Sequence, residues 1–431
     1  MRLAFSITGD RLTCTVAGDT LSHKQSLPFD GERVAELGRE ALAILTRGNK
    51  ARKLTASNLA DLRHVGEELL RALVPPEAQE ELRRGSGPLT LELDEALVAV
   101  PWELLHDGER FLCRRWDIGR QVATQLPRRG TVARSVGTPV RILVLLSDTR
   151  GDLQGVHAEG EAIGAELDKH QAVRARVTSA PTAEFVRRHL KDFDVVHFAG
   201  HADHDAGAPA EGGWQLDGGK LTAGEIAGLG GGRPMPILVF SNACQSGHTE
   251  PWTADSASSV YGLPSAFLIA GVRHYLGTQW EVVDGQSATF AAAFYAELVA
   301  GASIGAAVRR AREAVVAAGG EGDLAWASYV LYGDPSFAPL KRDEARALRI
   351  PSAKQLDARS SAPWKRPRVR ESTSLATRGA RQAGALVAPR ERPSKTGALP
   401  SRKWLWAALG GMAVGVIAAL LAALVLTKSG R

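Results

Sequence analysis

FDVVHFAGHADHD (193–205) and PILVFSNACQSGH (236–248) are the two stretches that decide the fold. In each, a short run of buried-strand residues ends abruptly in small and polar residues, which include His201 in the first and Cys244 in the second. A parallel α/β sheet places its chemistry at the carboxyl ends of its strands. The two stretches therefore predict a thiol nucleophile and its acid–base partner at one edge of such a sheet.

Strand and helix patterns alternate around these stretches, from residue 131 to residue 340. This alternation is typical of an α/β sheet with mainly parallel strands. The predicted strands are 141–148, 173–178, 195–199, 237–241, 273–278 and 328–332, and the predicted helices are 158–170, 182–190, 256–270, 287–300 and 304–317.

Residues 1–130 show weaker patterns. Residues 60–73 have a helical pattern, and LTLELDEALVAV (89–100) has the pattern of a two-stranded hairpin. We predict that this part of the chain is a small N-terminal subdomain packed on the sheet.

The C-terminal part predicts a membrane anchor. Residues 404–426 are 23 residues without a charge, long enough at about 1.5 Å per residue to cross the hydrocarbon core. Residues 341–403 are rich in Arg, Ser, Pro and Ala without periodicity, which predicts a disordered linker. A tail of five residues, 427–431, follows the span, so we expect a tail-anchored protein.

Charge is distributed unevenly along the chain. The linker carries a net charge of +12, whereas residues 1–340 carry −8, so the folded part has no basic surplus that would favour nucleic acid. Beside a membrane, the linker is expected to attract anionic lipid head groups, although it could also serve only as an extended spacer.

Small residues at every fourth position of the span, including Gly411 and Gly415, predict a homodimer through the transmembrane helix.

Cysteine content and flanking charge predict the location. Cys14, Cys113 and Cys244 form no disulfide pattern, which fits a reducing compartment. The N-terminus has no secretory signal pattern. Basic residues cluster on the N-terminal side of the span, so we expect a single-pass protein of the inner membrane with its large part in the cytoplasm.

Five segments in order resemble the CHAT domain of bacteria and eukaryotes. They are PWELLHDGERFL (101–112), HFAGHADHD (197–205), LVFSNACQSG (238–247), AGVRHYLGTQWEVVD (270–284) and WASYVLYGDP (326–335). CHAT domains are related to caspases, separases, metacaspases and gingipains. The resemblance covers roughly residues 88–338.

The resemblance implies a caspase-like three-layer α/β/α sandwich and cysteine endopeptidase activity, without a cofactor. It implies that Cys244 is the nucleophile and that His201 is the catalytic histidine. Family members often act in bacterial defence or regulated proteolysis. The expected partner is therefore a protein substrate, for which a gasdermin-like effector is one candidate.

Backbone N–H groups of Ala202 and Cys244 are the predicted oxyanion donors. Many relatives have Gly where this chain has Ala202, and a positive φ there would strain an alanine. Asn242 occupies a position where several relatives with basic specificity carry an acid. Asn242, Asp205 and Asp284 are the candidate residues of the substrate pocket.

Two alternatives remain open at this point. His201, His204, Cys244 and His248 supply four nitrogen and sulfur ligands, enough for a structural zinc site. The chain could also be a catalytically inactive scaffold that binds a partner at the membrane, because a fold does not fix an activity.

Overall fold

The computed structural model describes residues 1–18, 20–51, 53–126, 132–243, 246–247, 260–280 and 286–341. Most of the predicted linker and all of the span and tail lie outside the described residues, as do Cys244, His248 and Asp284. None of the helices within the described ranges has the length and hydropathy that a bilayer crossing requires.

Strands and helices alternate through most of the chain. In order, the strands are β1 (Arg2–Thr8), β2 (Arg11–Ala17), β3 (Ser22–Pro28), β4 (Gly87–Asp94), β5 (Trp116–Ala123), β6 (Val140–Ser147), β7 (Val173–Ser179), β8 (Val195–Gly200), β9 (Ala202–Asp203), β10 (Gly213–Leu216), β11 (Gly219–Thr222), β12 (Leu238–Asn242), β13 (His274–Thr278) and β14 (Tyr329–Tyr332). The helices are α1 (Gly31–Lys50), α2 (Ala56–Leu73), α3 (Pro76–Arg84), α4 (Leu112–Arg115), α5 (Gln154–Leu167), α6 (Ala183–His189), α7 (Ala223–Gly228), α8 (Leu263–Ala270), α9 (Gln286–Val299), α10 (Ile304–Gly319) and α11 (Ala325–Ser328).

Eleven of these strands form one sheet in the order β3-β2-β1-β4-β5-β14-β13-β12-β8-β6-β7. The pairs β1/β2, β2/β3 and β13/β14 are antiparallel. The other neighbours are parallel, which confirms the predicted mostly parallel sheet. The remaining strands, β9 to β11, form a small antiparallel sheet.

Both faces of the large sheet are buried around β6, β8 and β12. Along β6, Ile142 and Val144 belong to one hydrophobic core, whereas Leu143 and Leu145 belong to the other. Side chains that alternate between two cores require cover on both faces. Helices α1, α2, α5, α9 and α10 cover one face, and α6, α7 and α8 cover the other, so the three-layer α/β/α architecture is confirmed.

The N-terminal part differs from the prediction. Its strands β1 to β5 pair within the large sheet, so residues 1–130 extend the sheet and are not a subdomain packed on it. The predicted hairpin at 89–100 is also wrong. After β4, Asp94 accepts a hydrogen bond from the backbone N–H of Ala96 at 3.2 Å, which starts a short 3₁₀ turn where the second strand was expected.

Local capping explains two helix boundaries. Thr182 accepts a hydrogen bond from the backbone N–H of Phe185 at 3.1 Å and begins α6, as its sequence predicts. Helix α8 begins only at Leu263, inside the predicted 256–270, because Gly262 has a φ of 135°, outside the helical region.

Candidate active site

The strands that lead to His201 and Cys244 are neighbours. Strands β8 and β12 are parallel, with Ala199 paired to Asn242. His201 follows Ala199 by two residues, and Cys244 follows Asn242 by two residues. The two strand ends therefore lie side by side at one edge of the sheet, as the sequence predicts, although Cys244 itself is outside the described residues.

The residues on either side of Cys244 are held by β13. The Thr278 hydroxyl donates a hydrogen bond to the carbonyl oxygen of Ala243 at 2.5 Å, and the N–H of Gly247 donates to the carbonyl oxygen of Thr278 at 2.7 Å. A Cβ on Gly247 would lie 2.9 Å from the carbonyl carbon of Gly277, so only glycine fits there. The chain is thus anchored immediately before and shortly after the predicted nucleophile.

His201 makes a hydrogen bond that its sequence does not predict. Its Nε2 lies 2.7 Å from Oδ1 of Asp152 and donates to it, since a carboxylate only accepts. The His201 side chain is 14% exposed and that of Asp152 is 56% exposed. This bond with His201 is the main reason why the pKa of Asp152 lies below its usual range.

Asp152 lies in the short loop between β6 and α5. Within that loop, Asp148 accepts hydrogen bonds from the backbone N–H groups of Asp152 at 3.1 Å and Leu153 at 3.2 Å. Because β6 pairs with β8 in parallel, the loop after β6 reaches the same edge as His201. The available signal was Asp148 at the end of the predicted strand 141–148 and Asp152 four residues later, but the strand order was not known from sequence.

Of the four residues of the zinc alternative, the structure describes His201 and His204, and these two do not share a cluster of three or more candidate metal ligands. The cluster of candidate metal ligands found among the described residues consists of Asp148, Asp152 and His201, with ligand atoms within 4.8 Å of one another. His204 is not part of it, and Cys244 and His248 lie outside the described residues. Asp148 and Asp152 already accept the hydrogen bonds described above, which account for their proximity without an ion.

The backbone after His201 is held by the small sheet. Ala202, in β9, pairs with Trp214 of β10, and the N–H of Gln215 donates to the carbonyl oxygen of His201 at 2.9 Å. Among the described non-glycine residues, Ala180 is the one with a positive φ, of 50°. The backbone of Ala202 therefore does not have the positive φ that would strain an alanine.

The candidate pocket residues lie in different environments. Asn242 is 7% exposed, and its amide donates to Glu159 at 2.6 Å while accepting from the hydroxyl of Tyr329 at 3.0 Å. Asp205 is exposed and accepts from the N–H of Gly207 at 2.9 Å, which makes it part of a surface turn. Asp284 lies outside the described residues.

Comparison with known proteins identifies the family. The family model described as "CHAT domain" matches residues 63–334, well over half of the chain. The chain belongs to the CHAT domain family. The matched range runs from α2 to the residues just after β14 and includes every residue of the candidate site.

Solved structures similar to this CHAT chain include three peptidases. Separase from the Saccharomyces cerevisiae separase–securin complex has 17% identity and a TM-score of 0.39, covering 57% of this chain and 15% of its own. The Arg-specific cysteine proteinase gingipain R has 12% identity and a TM-score of 0.42, covering 69% and 70%. Caspase-1 from Spodoptera frugiperda has 11% identity and a TM-score of 0.28, covering 49% and 94%. No curated protein sequence matches the chain.

The other two cysteines of this CHAT chain are buried in its core. Burial is the main cause that raises the pKa of the Cys14 thiol to about 12 and that of Cys113 to about 11. Thiols with such a pKa are protonated and unreactive at neutral pH. Both are packing residues, as their sequence context predicts.

Proposed function

We propose that this CHAT domain is a cysteine endopeptidase that uses Cys244 as nucleophile, His201 as acid–base catalyst and Asp152 to orient His201. The observation that carries the proposal is the hydrogen bond between His201 and Asp152, made at the strand end beside the one that leads to Cys244. A nucleophile, a base and a group that orients the base form the usual arrangement of nucleophilic catalysis.

Each proposed step uses a particular atom. Because Nε2 of His201 donates to Asp152, Nδ1 is the ring nitrogen left to take the proton of the Cys244 thiol. The thiolate then attacks the peptide carbonyl, and backbone N–H groups, for which Ala202 and Cys244 are the candidates, stabilise the oxyanion. His201 gives its proton to the leaving amine, and then takes a proton from the water that hydrolyses the thioester.

Solvent access at His201 favours an enzyme over an inactive scaffold. A histidine that serves only packing is normally buried, whereas the His201 side chain is 14% exposed and bonds to a carboxylate that is 56% exposed. A general base needs a path by which protons reach it. The arrangement fits proton transfer at the rim of the sheet.

The decisive experiment sequences newly formed protein N-termini in three strains, which express the full chain, Cys244→Ala or His201→Ala. We expect a set of cleavages that requires both Cys244 and His201. A second experiment on the purified protein measures labelling of Cys244 by a thiol-reactive probe. We expect this labelling to be lost in His201→Ala. Identical N-termini in all three strains would favour the scaffold, and stoichiometric zinc lost in Cys244→Ala would favour the metal site.

Membrane tethering is part of the proposal. Residues 404–426 supply the uncharged span, and the linker supplies the positive charge that would hold the chain near anionic lipids. The full chain should pellet with membranes, and a chain ending at residue 341 should not. If Gly411→Ile and Gly415→Ile leave self-association in the membrane unchanged, the proposed dimer is wrong.

The substrate is proposed to be a protein, with a gasdermin-like effector as a candidate by family resemblance.

A further inference from the structure

A buried carboxylate lies beneath the candidate site. Glu159, in the second turn of α5, is 2% exposed. One oxygen, Oε1, accepts hydrogen bonds from Nε2 of His197 at 2.8 Å and from the amide nitrogen of Asn242 at 2.6 Å. A carboxylate is costly to bury, so it persists only where its partners compensate for the lost water.

The two partners belong to the two strands that carry the site. His197 is in β8, four residues before His201, and Asn242 is in β12, two residues before Cys244. His197 pairs with Phe240, the second residue before Asn242, so His197 and Asn242 project on the same face of the sheet. A single oxygen atom of Glu159 therefore links the two strands just below their ends.

The surroundings make this link rigid. His197 is fully buried, and its ring packs edge-on against Phe240 at 4.6 Å and Tyr295 at 5.6 Å between centroids. The amide oxygen of Asn242 accepts from Tyr329 at 3.0 Å, which prevents the amide from turning over. Hydrogen bonds in such a dry environment are stronger than in water.

Helix α5 also connects the link to the orienting carboxylate. Asp152 precedes the first residue of α5 by two positions, and Glu159 lies within the helix. The same short segment thus fixes His201 through Asp152 and fixes both strand ends through Glu159.

We infer that Glu159 is a positioning residue, which sets the separation of the Cys244 thiol and the His201 imidazole by bonding His197 and Asn242. This inference rests on the proposed function. Without Glu159, the donors of His197 and Asn242 lose their acceptor, and the ends of β8 and β12 are free to shift relative to each other. A shift of about 1 Å weakens a catalytic contact strongly.

The test measures how fast iodoacetamide alkylates Cys244 in the full chain, from about pH 5 to about pH 9, by peptide mass spectrometry. Cys14 and Cys113, which are buried, serve as slow internal references. In Glu159→Ala we expect alkylation near pH 7 to fall about tenfold, with a midpoint raised by about one pH unit. Glu159→Gln keeps a carbonyl oxygen that accepts both bonds, so it should restore most of the rate.

Glu161→Gln is the matched control, because Glu161 is exposed on the same helix and should leave the profile unchanged. A Glu159→Ala profile that superimposes on that of the folded wild type overturns the inference. If Glu159→Ala does not fold, Glu159→Asp, which retracts the carboxylate by one methylene, takes its place with the same criterion. If the pH profile of Cys244 alkylation is the same in His201→Ala as in the wild type, the result instead contradicts the proposed function.

Discussion

Two histidines four residues apart, His197 in β8 and His201 just after it, each bond to a carboxylate. Comparing the two pairs shows how the role of such a hydrogen bond depends on where it lies. His197 and Glu159 are joined at 2.8 Å, and their side chains are 0% and 3% exposed. His201 and Asp152 are joined at 2.7 Å, and their side chains are 14% and 56% exposed. The bonds are nearly equal in length, but only the second has access to solvent protons.

The contrast follows from the end of the strand. His197 lies within β8, where helices cover both faces, whereas His201 lies just beyond it. The buried pair contributes to folding and to the geometry of the strand ends. The rim pair is available for proton transfer. Substitutions at these positions should therefore separate effects on stability from effects on activity.

The largest expected effect is on activity, in His201→Ala. Loss of the acid–base group should lower kcat/KM by about 10³-fold. The free energy of unfolding should change by less than about 1 kcal/mol, because the side chain is partly exposed and its hydrogen bond within the described part of the chain lies at the rim. Peptide-cleavage kinetics and urea unfolding of the same preparation provide both values. If His201→Ala instead loses several kcal/mol of stability, the His201–Asp152 pair supports the fold as the buried pair does, and the proposed difference between the two pairs is wrong.

His197→Ala should produce the complementary result. It removes a donor from the buried carboxylate of Glu159 and leaves a cavity among aromatic rings, so we expect a loss of about 3 to 5 kcal/mol in the free energy of unfolding. Urea denaturation near neutral pH measures this loss. If His197→Ala is as stable as the wild type, the buried pair does not support the fold.

A buried histidine of β13, His274, sharpens the comparison, because its ring bonds to a backbone carbonyl oxygen in place of a carboxylate. Burial is the main cause that lowers its pKa to about 4, and its Nδ1 lies 3.0 Å from the carbonyl oxygen of Ile237. Since the unfolded chain binds the proton more readily, stability is lost as the pH falls from about 6.5 towards 4, by up to about 3 kcal/mol. Unfolding curves at several pH values should show a smaller loss in His274→Gln. An equal loss would assign the acid sensitivity to other groups.

The smallest expected effect is that of Asp152→Asn. The amide can still orient the ring but cannot stabilise the imidazolium. Because the Asp152 side chain is 56% exposed and screened by solvent, we expect only about a tenfold fall in kcat/KM. Because the pKa of Asp152 is lowered below its usual range, its carboxyl stays ionised throughout the neutral and mildly acidic range. The kcat/KM of the variant should therefore stay below that of the wild type at every pH above about 5. Profiles that converge within that range would show that Asp152 titrates with the activity.

The sequence predicts the half of the sheet around β8 and β12 well. Their apolar runs end in small and polar residues, so the residue pattern alone indicates both strands and the edge at which they meet. Asp152 and Glu159 could not be assigned, because both act through neighbours on other strands and the strand order is a tertiary property. The placement of residues 1–130 as a separate subdomain was wrong for the same reason. Alternating apolar residues indicate that one face of a strand is buried, but they do not identify which strand pairs with its edge.

Strand β14 has a consequence for biosynthesis. It has four residues and is the last strand that the structure describes, yet it alone joins β5 on one side to β13 on the other. During translation, the chain must therefore be synthesised as far as Tyr332 before the part of the sheet that ends at β5 can pair, through β14, with the part that begins at β13. Until then each part exposes an unpaired edge, where nascent chains readily associate with the wrong neighbour. The greatest risk of misassembly during translation is thus expected to persist until these four residues have emerged.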